Sequence, residues 1–221
     1  MRPKAWMSWS SGKDSAFALA EVMRAGELEV VGLLTTLNAE FDRVAMHAVR
    51  RTLLAQQAAA LNLPLIAIDL PWPCSNEEYE SRMQAAVTRA VSEGVTHIVF
   101  GDLFLADIRE YRERQLAGTG LTPVFPLWLR DTRTLAGEMV DSGLRAHLTC
   151  VDPRHLDRSF AGRVFDRSLL AELPPAVDPC GERGEFHSFV THSPLFAAPI
   201  AVTVGEVVER DGFVFADLSP A

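Results

Sequence analysis

The chain has 221 residues, 48% of them apolar and 23% charged, an ordinary globular composition that excludes disordered and fibrous classes. Twenty-one basic against twenty-nine acidic residues leave a net charge of −8, the wrong sign for gripping a nucleic-acid backbone by general electrostatics, so no nucleic-acid partner is expected. The three cysteines, Cys74, Cys150 and Cys180, are odd in number and widely separated, which excludes a disulfide framework and a CxxC zinc site and points to a reducing, cytoplasmic setting. No apolar run approaches the roughly 18 residues of a membrane span, and neither a secretory leader nor membrane association is expected.

From the first residues onward, short apolar runs alternate with longer segments of helical spacing, the mark of βαβ units around a parallel sheet. Five runs are predicted as strands: Ala5–Trp9, Glu29–Thr36, Leu65–Leu70, Thr96–Phe100 and Thr122–Phe125. Several lack polar alternation, as strands covered on both faces should. Between them, Leu54, Ala58 and Leu61 share one helical face. Tyr79, Met83, Ala86 and Ala90 share another, with Ser75 or Asn76 as its cap and Gly94 as its stop. Beyond residue 125 prolines punctuate shorter elements and only Thr132–Ser142 keeps a clear helical pattern, so a second lobe is expected to begin near residue 126. The tail reads as two strands, Ile200–Val208 and Phe213–Leu218, joined by a hairpin turn at Asp211-Gly212. The predicted fold class is α/β.

The sharpest local signal lies between the first strand and the first helix: Ser8-Trp9-Ser10-Ser11-Gly12-Lys13-Asp14-Ser15. A helix start offers unpaired N–H groups and the positive end of a dipole, which suits phosphate. Gly12 admits close approach of the backbone, Ser10, Ser11 and Ser15 supply hydroxyls, and Lys13 supplies a cation. Asp14 reads equally as a helix cap, and a serine-rich turn remains the alternative. The loop is not a Walker A motif, since neither the upstream Gly nor a Ser or Thr after Lys13 is present.

Three further stretches carry candidate chemistry. Gly101-Asp102 follows the fourth strand at the carboxyl edge of the sheet, where open α/β proteins bind ligands, although Asp102 reads as well as a cap. Ile108–Arg114 has three arginines and two glutamates and reads as a solvated helix face laced by local pairs. Cys180–His187 sets Glu182 and Glu185 among glycines, with a thiol and an imidazole nearby. Those carboxylates suit proton acceptance, contact to a cationic group, or magnesium. Cys180 reads as a small buried hydrophobe or, given an adjacent base, a nucleophile. His97 and His147 read as structural, and His155 and His192 have no informative context.

Ser10-Ser11-Gly12-Lys13-Asp14-Ser15 resembles the SGGxDS signature of the pyrophosphatase-loop (PP-loop) ATP enzymes, with Ser11 in place of the first Gly. Gly101–Arg114, Asp178–His187 and Arg43–Arg51, including His47, are similar to the diphthine ammonia ligase-like branch, which has the adenine nucleotide alpha-hydrolase-like fold. The resemblance implies a parallel five-stranded Rossmann-like ATP-binding domain over residues 1–125. It also implies a smaller C-terminal α+β domain over 126–221 that binds the acceptor. It implies ATP and magnesium as cofactors, with Ser10, Ser11, Gly12, Lys13, Asp14, Ser15, Gly101 and Asp102 at the nucleotide and no protein residue singled out as a metal ligand. Lys13, Glu182 and Glu185 are the implied catalytic residues, and the Cys180–His187 segment is expected to face the phosphate loop across a cleft. The implied partners are a carboxylate acceptor and ammonia, and a homodimer is compatible with the resemblance. The implied reaction adenylates a carboxylate, in the founding case diphthine on elongation factor 2, releases pyrophosphate and transfers ammonia. A noncatalytic adenine-nucleotide sensor and a transfer-RNA sulfur transferase are the alternatives. Isolated cysteines and the acidic balance weigh against the second.

Overall fold

The computed structural model describes residues 1–44 and 49–221. His47 lies outside the described residues. In chain order the first lobe comprises β1 (Lys4–Ser8), α1 (Lys13–Ala25), β2 (Glu29–Asn38), β3 (Arg43–Val44), α2 (Arg51–Leu61), β4 (Leu65–Leu70), α3 (Asn76–Ser92), β5 (Val95–Val99), α4 (Ala106–Leu116) and β6 (Thr122–Val124). The second comprises α5 (Thr132–Asp141), β7 (Arg145–Val151), α6 (Arg167–Glu172), β8 (Phe186–His192), β9 (Val202–Arg210) and β10 (Phe213–Pro220).

Strands β4, β2, β1, β5 and β6 pair in parallel in that order. Each expected strand run falls on one of them. Among the described residues the sheet is nevertheless mixed and six-stranded rather than five-stranded and parallel, because β3 turns back to pair antiparallel with Leu37 and Asn38 of β2. Two residues of pairing are too short to leave a sequence pattern. The second sheet, in order β8-β7-β10-β9, is antiparallel throughout. Its β9–β10 hairpin turns at Asp211 and Gly212, both at positive φ, as a tight two-residue connection requires.

The period-two alternation of β1 divides the core. Ala5 and Met7 face a large apolar cluster, whereas Trp6 faces the opposite side of the sheet with Ile98, Phe100 and Ala90. The larger cluster continues without a break into the second lobe through Leu148, Phe165, Phe186 and Phe189, so the two sheets share one core. The expected boundaries of α3 are present: it begins where the Ser75 side chain accepts from the Glu78 N–H, and Gly94, at φ 78°, follows its end; α1 ends in the same manner where Gly26 adopts φ 69°. Among the described residues, no helix is long and apolar enough to cross a membrane.

Candidate active site

The carboxyl ends of β1 and β5, the start of α1 and the segment before β8 meet at one cleft. The Ser10 Oγ lies 3.1 Å from Ser15 Oγ and accepts from the Gly12 N–H at 3.3 Å, and Ser15 Oγ donates to the Gly12 carbonyl at 3.0 Å. The loop therefore closes on itself through its own serines. Gly12 sits at φ −89°, which any residue adopts, whereas Ser11 takes the left-handed φ of 70°. Conformational demand thus falls on the position where the family signature has its first Gly and this chain has Ser. Ser11 is fully buried, lies outside both cavity walls, and its hydroxyl has no hydrogen-bond partner among the described residues.

Gly101 is needed for close approach. A Cβ there would stand 2.9 Å from the Ser15 nitrogen and 3.0 Å from the Asp14 carbonyl carbon, forcing β5 away from the phosphate loop. Asp102 caps no helix. Its carboxylate receives the Arg112 guanidinium at 2.8 and 3.3 Å, and that guanidinium lies 4.6 Å over the Phe100 ring. The solvated-face reading of α4 holds for Glu110 and Arg114, which are exposed; Arg109 makes the expected local pair with Glu113 but lies over the Phe125 and Trp128 rings at 4.7 and 4.8 Å, and Ile108, Tyr111 and Arg112 turn into the cleft.

The second lobe reaches the loop directly. Ser188 Oγ accepts from the Lys13 N–H at 3.2 Å, and the Cys180 carbonyl accepts from Lys13 Nζ, so the Cys180–His187 segment does face the phosphate loop. Lys13 is 2% exposed, bonded also to both Asp14 oxygens, and lies over the Phe165 and Phe186 rings. Burial alone would lower its pKa, but the Asp14 carboxylate beside it raises it above the usual lysine value. Its three donors therefore all have oxygen partners within the protein.

Glu182 and Glu185 both accept from backbone N–H groups but differ in where they stand. Glu182 lines the cleft with Asp14 and Asp102, and its Oε1 accepts from the backbone of Leu103 at 2.7 Å and Phe104 at 3.4 Å. Burial, reinforced by Asp14 and Asp102, pushes its pKa up to about 7 against the pull of the Leu103 N–H and Lys13. Glu185 is 1% exposed and lines no part of the cleft. One oxygen accepts from the Asp178 N–H at 3.0 Å and the other from the Arg183 N–H at 2.9 Å, closing the loop that carries Glu182. The Cys180 thiol is buried, donates to the Thr132 carbonyl at 3.4 Å, and has its pKa driven upward by burial. That is an inert thiol rather than a nucleophile.

Two cavities share the wall formed by Ser8, Ser10, Phe100, Ile108, Arg112 and His187. The smaller, about 260 Å³, is polar and lies over Lys13, Asp14, Ser15, Gly101, Asp102 and Glu182. The larger, about 520 Å³, runs between the sheet and α3 and α4. Trp6, Leu34, Met83 and Val87 supply its apolar walls, and Thr36, Tyr79, Tyr111 and Gln115 its polar groups. Among the described residues, no three His, Cys, Asp or Glu side chains converge as a metal site.

Sequence reasoning missed Gln57, which is fully buried on α2 against Trp9, Ser11 and Val190. Its signal was a polar residue at the helical spacing of Leu53 and Leu54, on a face that is otherwise apolar.

A sequence profile of the diphthamide synthase N-terminal domain matches residues 3–123, and one of the diphthamide synthase C-terminal domain matches 131–215. The chain belongs to this family. The match agrees with the PP-loop and diphthine ammonia ligase-like resemblance carried by the loop and the two later motifs. Its relatives include the diphthine–ammonia ligase of Danio rerio, 30% identical with 94% of this chain and 89% of that protein aligned. The human diphthine–ammonia ligase is 28% identical over 95% of this chain and 86% of its own length. The diphthine–ammonia ligase of Schizosaccharomyces pombe is 27% identical over 91% of this chain, which spans 36% of that longer protein.

Proposed function

We propose that the chain is an ATP-dependent ligase that activates a carboxylate as an acyl adenylate, releases pyrophosphate and transfers ammonia to form an amide. The names of its relatives point to diphthine as the acceptor. In this reading residues 1–125 form the ATP-binding domain and residues 126–221 the acceptor-facing one. The observation that carries it is the polar cavity itself: a phosphate-type helix start on one wall and Glu182, with a pKa near 7, on the other.

The phosphates lie over Ser10, Lys13 and Ser15, where hydroxyls, backbone dipole and a buried cation stabilise charge developing on the leaving pyrophosphate. A phosphate oxygen reaches Lys13 Nζ only by displacing Asp14 or the Cys180 carbonyl. The nucleoside occupies the larger cavity, whose volume lies in the usual ligand range of about 300–1,000 Å³. Asp14 and Asp102, which line the polar cavity, are the carboxylates that would hold magnesium, each by giving up part of its ion pair with Lys13 or Arg112; such a cation is generally held by one or two carboxylates together with substrate phosphates and water, and it would neutralise those phosphates. Glu182 accepts the proton that ammonia loses in attacking the acyl adenylate, a role suited to a carboxylate that titrates near neutrality. Glu185 holds the loop that presents Glu182. The sulfur-transferase reading gains nothing from Cys150 and Cys180, whose thiols are both raised by burial.

Phosphorus NMR of a reaction containing ATP, magnesium, ammonium and a diphthine-bearing acceptor is expected to show AMP and pyrophosphate. ADP as the sole nucleotide product would overturn the reading.

A further inference from the structure

One residue of the phosphate loop, Ser11, is bonded by a side chain outside it. Gln57 is fully buried, and its amide makes three bonds to three different segments. Oε1 accepts from the Trp9 indole N–H at 2.8 Å, while Nε2 donates to the Ser11 carbonyl at 3.0 Å and to the Val190 carbonyl at 2.7 Å. The orientation of the amide is unambiguous, because an indole N–H only donates and a carbonyl only accepts, so the flipped amide would fail at all three contacts. The Ser11 carbonyl takes a second bond from the Val190 N–H at 3.0 Å, which ties the loop to β8.

Ser11 is the one loop residue at positive φ, and its buried hydroxyl contributes no bond among the described residues that would compensate. A serine in that conformation persists only when its surroundings impose it. We propose that Gln57 is a positioning residue for the reaction, acting through Ser11: it holds the strained peptide at residues 11 and 12 so that Ser10, Lys13 and Ser15 face the polar cavity. The proposal rests on the reading that this loop holds the phosphates of ATP.

Gln57→Leu keeps the size of the side chain and removes all three bonds. Calorimetric ATP affinity is expected to fall by about tenfold to a hundredfold, the scale on which small misplacements of binding groups act. Amide hydrogen exchange over residues 10–13, measured without nucleotide, is expected to quicken by about tenfold. Adding Ser11→Gly is expected to return both to within about threefold of the parent, because glycine holds positive φ without a clamp. Thermal stability is not expected to recover in step, since the Trp9 and Val190 groups stay unpaired. If Gln57→Leu does not fold, Gln57→Met, unbranched and close to glutamine in length, removes both donors without burying a charge and carries the same expectations. Unchanged loop exchange in the single variant, or an unrescued loop in the double, overturns the proposal. The exchange measurement needs no ligand, so absence of ATP binding by the parent protein would count against the nucleotide reading and leave this test standing.

Discussion

The phosphate loop and the segment before β8 form opposite walls of one cavity, yet they are built on different physical terms. Residues 8–15 are placed by local backbone, a strand that ends, a turn and a helix that begins, and Ser10 and Ser15 bond within that turn, although Ser11 is also tied to Gln57 and Val190. Residues 178–188 close locally through Glu185 but are placed by partners distant in sequence: Leu103 and Phe104 for Glu182, Lys13 for Cys180 and Ser188, and Thr132 for the Cys180 thiol. The first kind of wall advertises itself in local sequence. In the second, chemically identical side chains acquire opposite roles, as Glu182 and Glu185 show three residues apart.

The sharpest way to break that contrast is to neutralise the two carboxylates in turn. Glu182→Gln is expected to slow amide formation about a hundredfold, near 2.7 kcal/mol in barrier, while ATP affinity stays within about tenfold. At a fixed concentration of free ammonia, the parent's rate should climb with pH as the Glu182 carboxylate forms, and the variant should lack that limb. The accompanying stability effect has a definite sign. With its folded pKa raised to about 7 from an ordinary 4.5, Glu182 holds a proton that the unfolded chain has released. Its contribution is therefore most favourable below pH 4.5 and is lost as pH rises through 7. Denaturant midpoints at pH 5 and pH 8 should show Glu182→Gln gaining on the parent at the higher pH. An equal difference at both would remove the basis for a raised pKa.

Glu185→Gln is expected to act on stability instead, because an amide can accept from only one of the Asp178 and Arg183 N–H groups. The cost should be about 1–3 kcal/mol by chemical denaturation. Activity measured well below the unfolding midpoint should fall less than in Glu182→Gln. Equal losses of activity in both variants, at unchanged stability, would erase the distinction between them.

The smallest effect belongs to the loop. Ser11→Gly relieves a positive φ and removes a buried hydroxyl that has no partner among the described residues, against the greater freedom of glycine in the unfolded chain. A net gain of about 1 kcal/mol in unfolding free energy is expected. A loss would mean that the hydroxyl or the Cβ contributes packing that outweighs the strain.

Much of the first lobe was legible from the chain alone, because its signals are local. Apolar runs bounded by turns mark the five parallel strands, Ser75 marks the start of α3, and Asp211-Gly212 marks the final hairpin. The position of the phosphate loop follows from the same kind of evidence, a glycine and serines between a strand and a helix. Strands β7 and β8 were not legible as strands. Both are buried almost continuously, so neither shows the polar alternation of a half-exposed antiparallel strand, and β8 begins inside what reads as a polar loop motif.

Tertiary structure alone decided what the polar residues do. Sequence put Lys13 beside a phosphate site, but only folding sets it between Phe165 and Phe186 with every donor engaged. It named two carboxylates, but only the Leu103 N–H, 79 residues from Glu182, sets that carboxylate on the cavity wall and leaves Glu185 to its local loop closure. Secondary structure repeats over a few residues and so leaves a pattern in the chain. A hydrogen-bond partner 46 residues away, as between Gln57 and Ser11, leaves no such pattern, because it exists only once the helices and strands have packed.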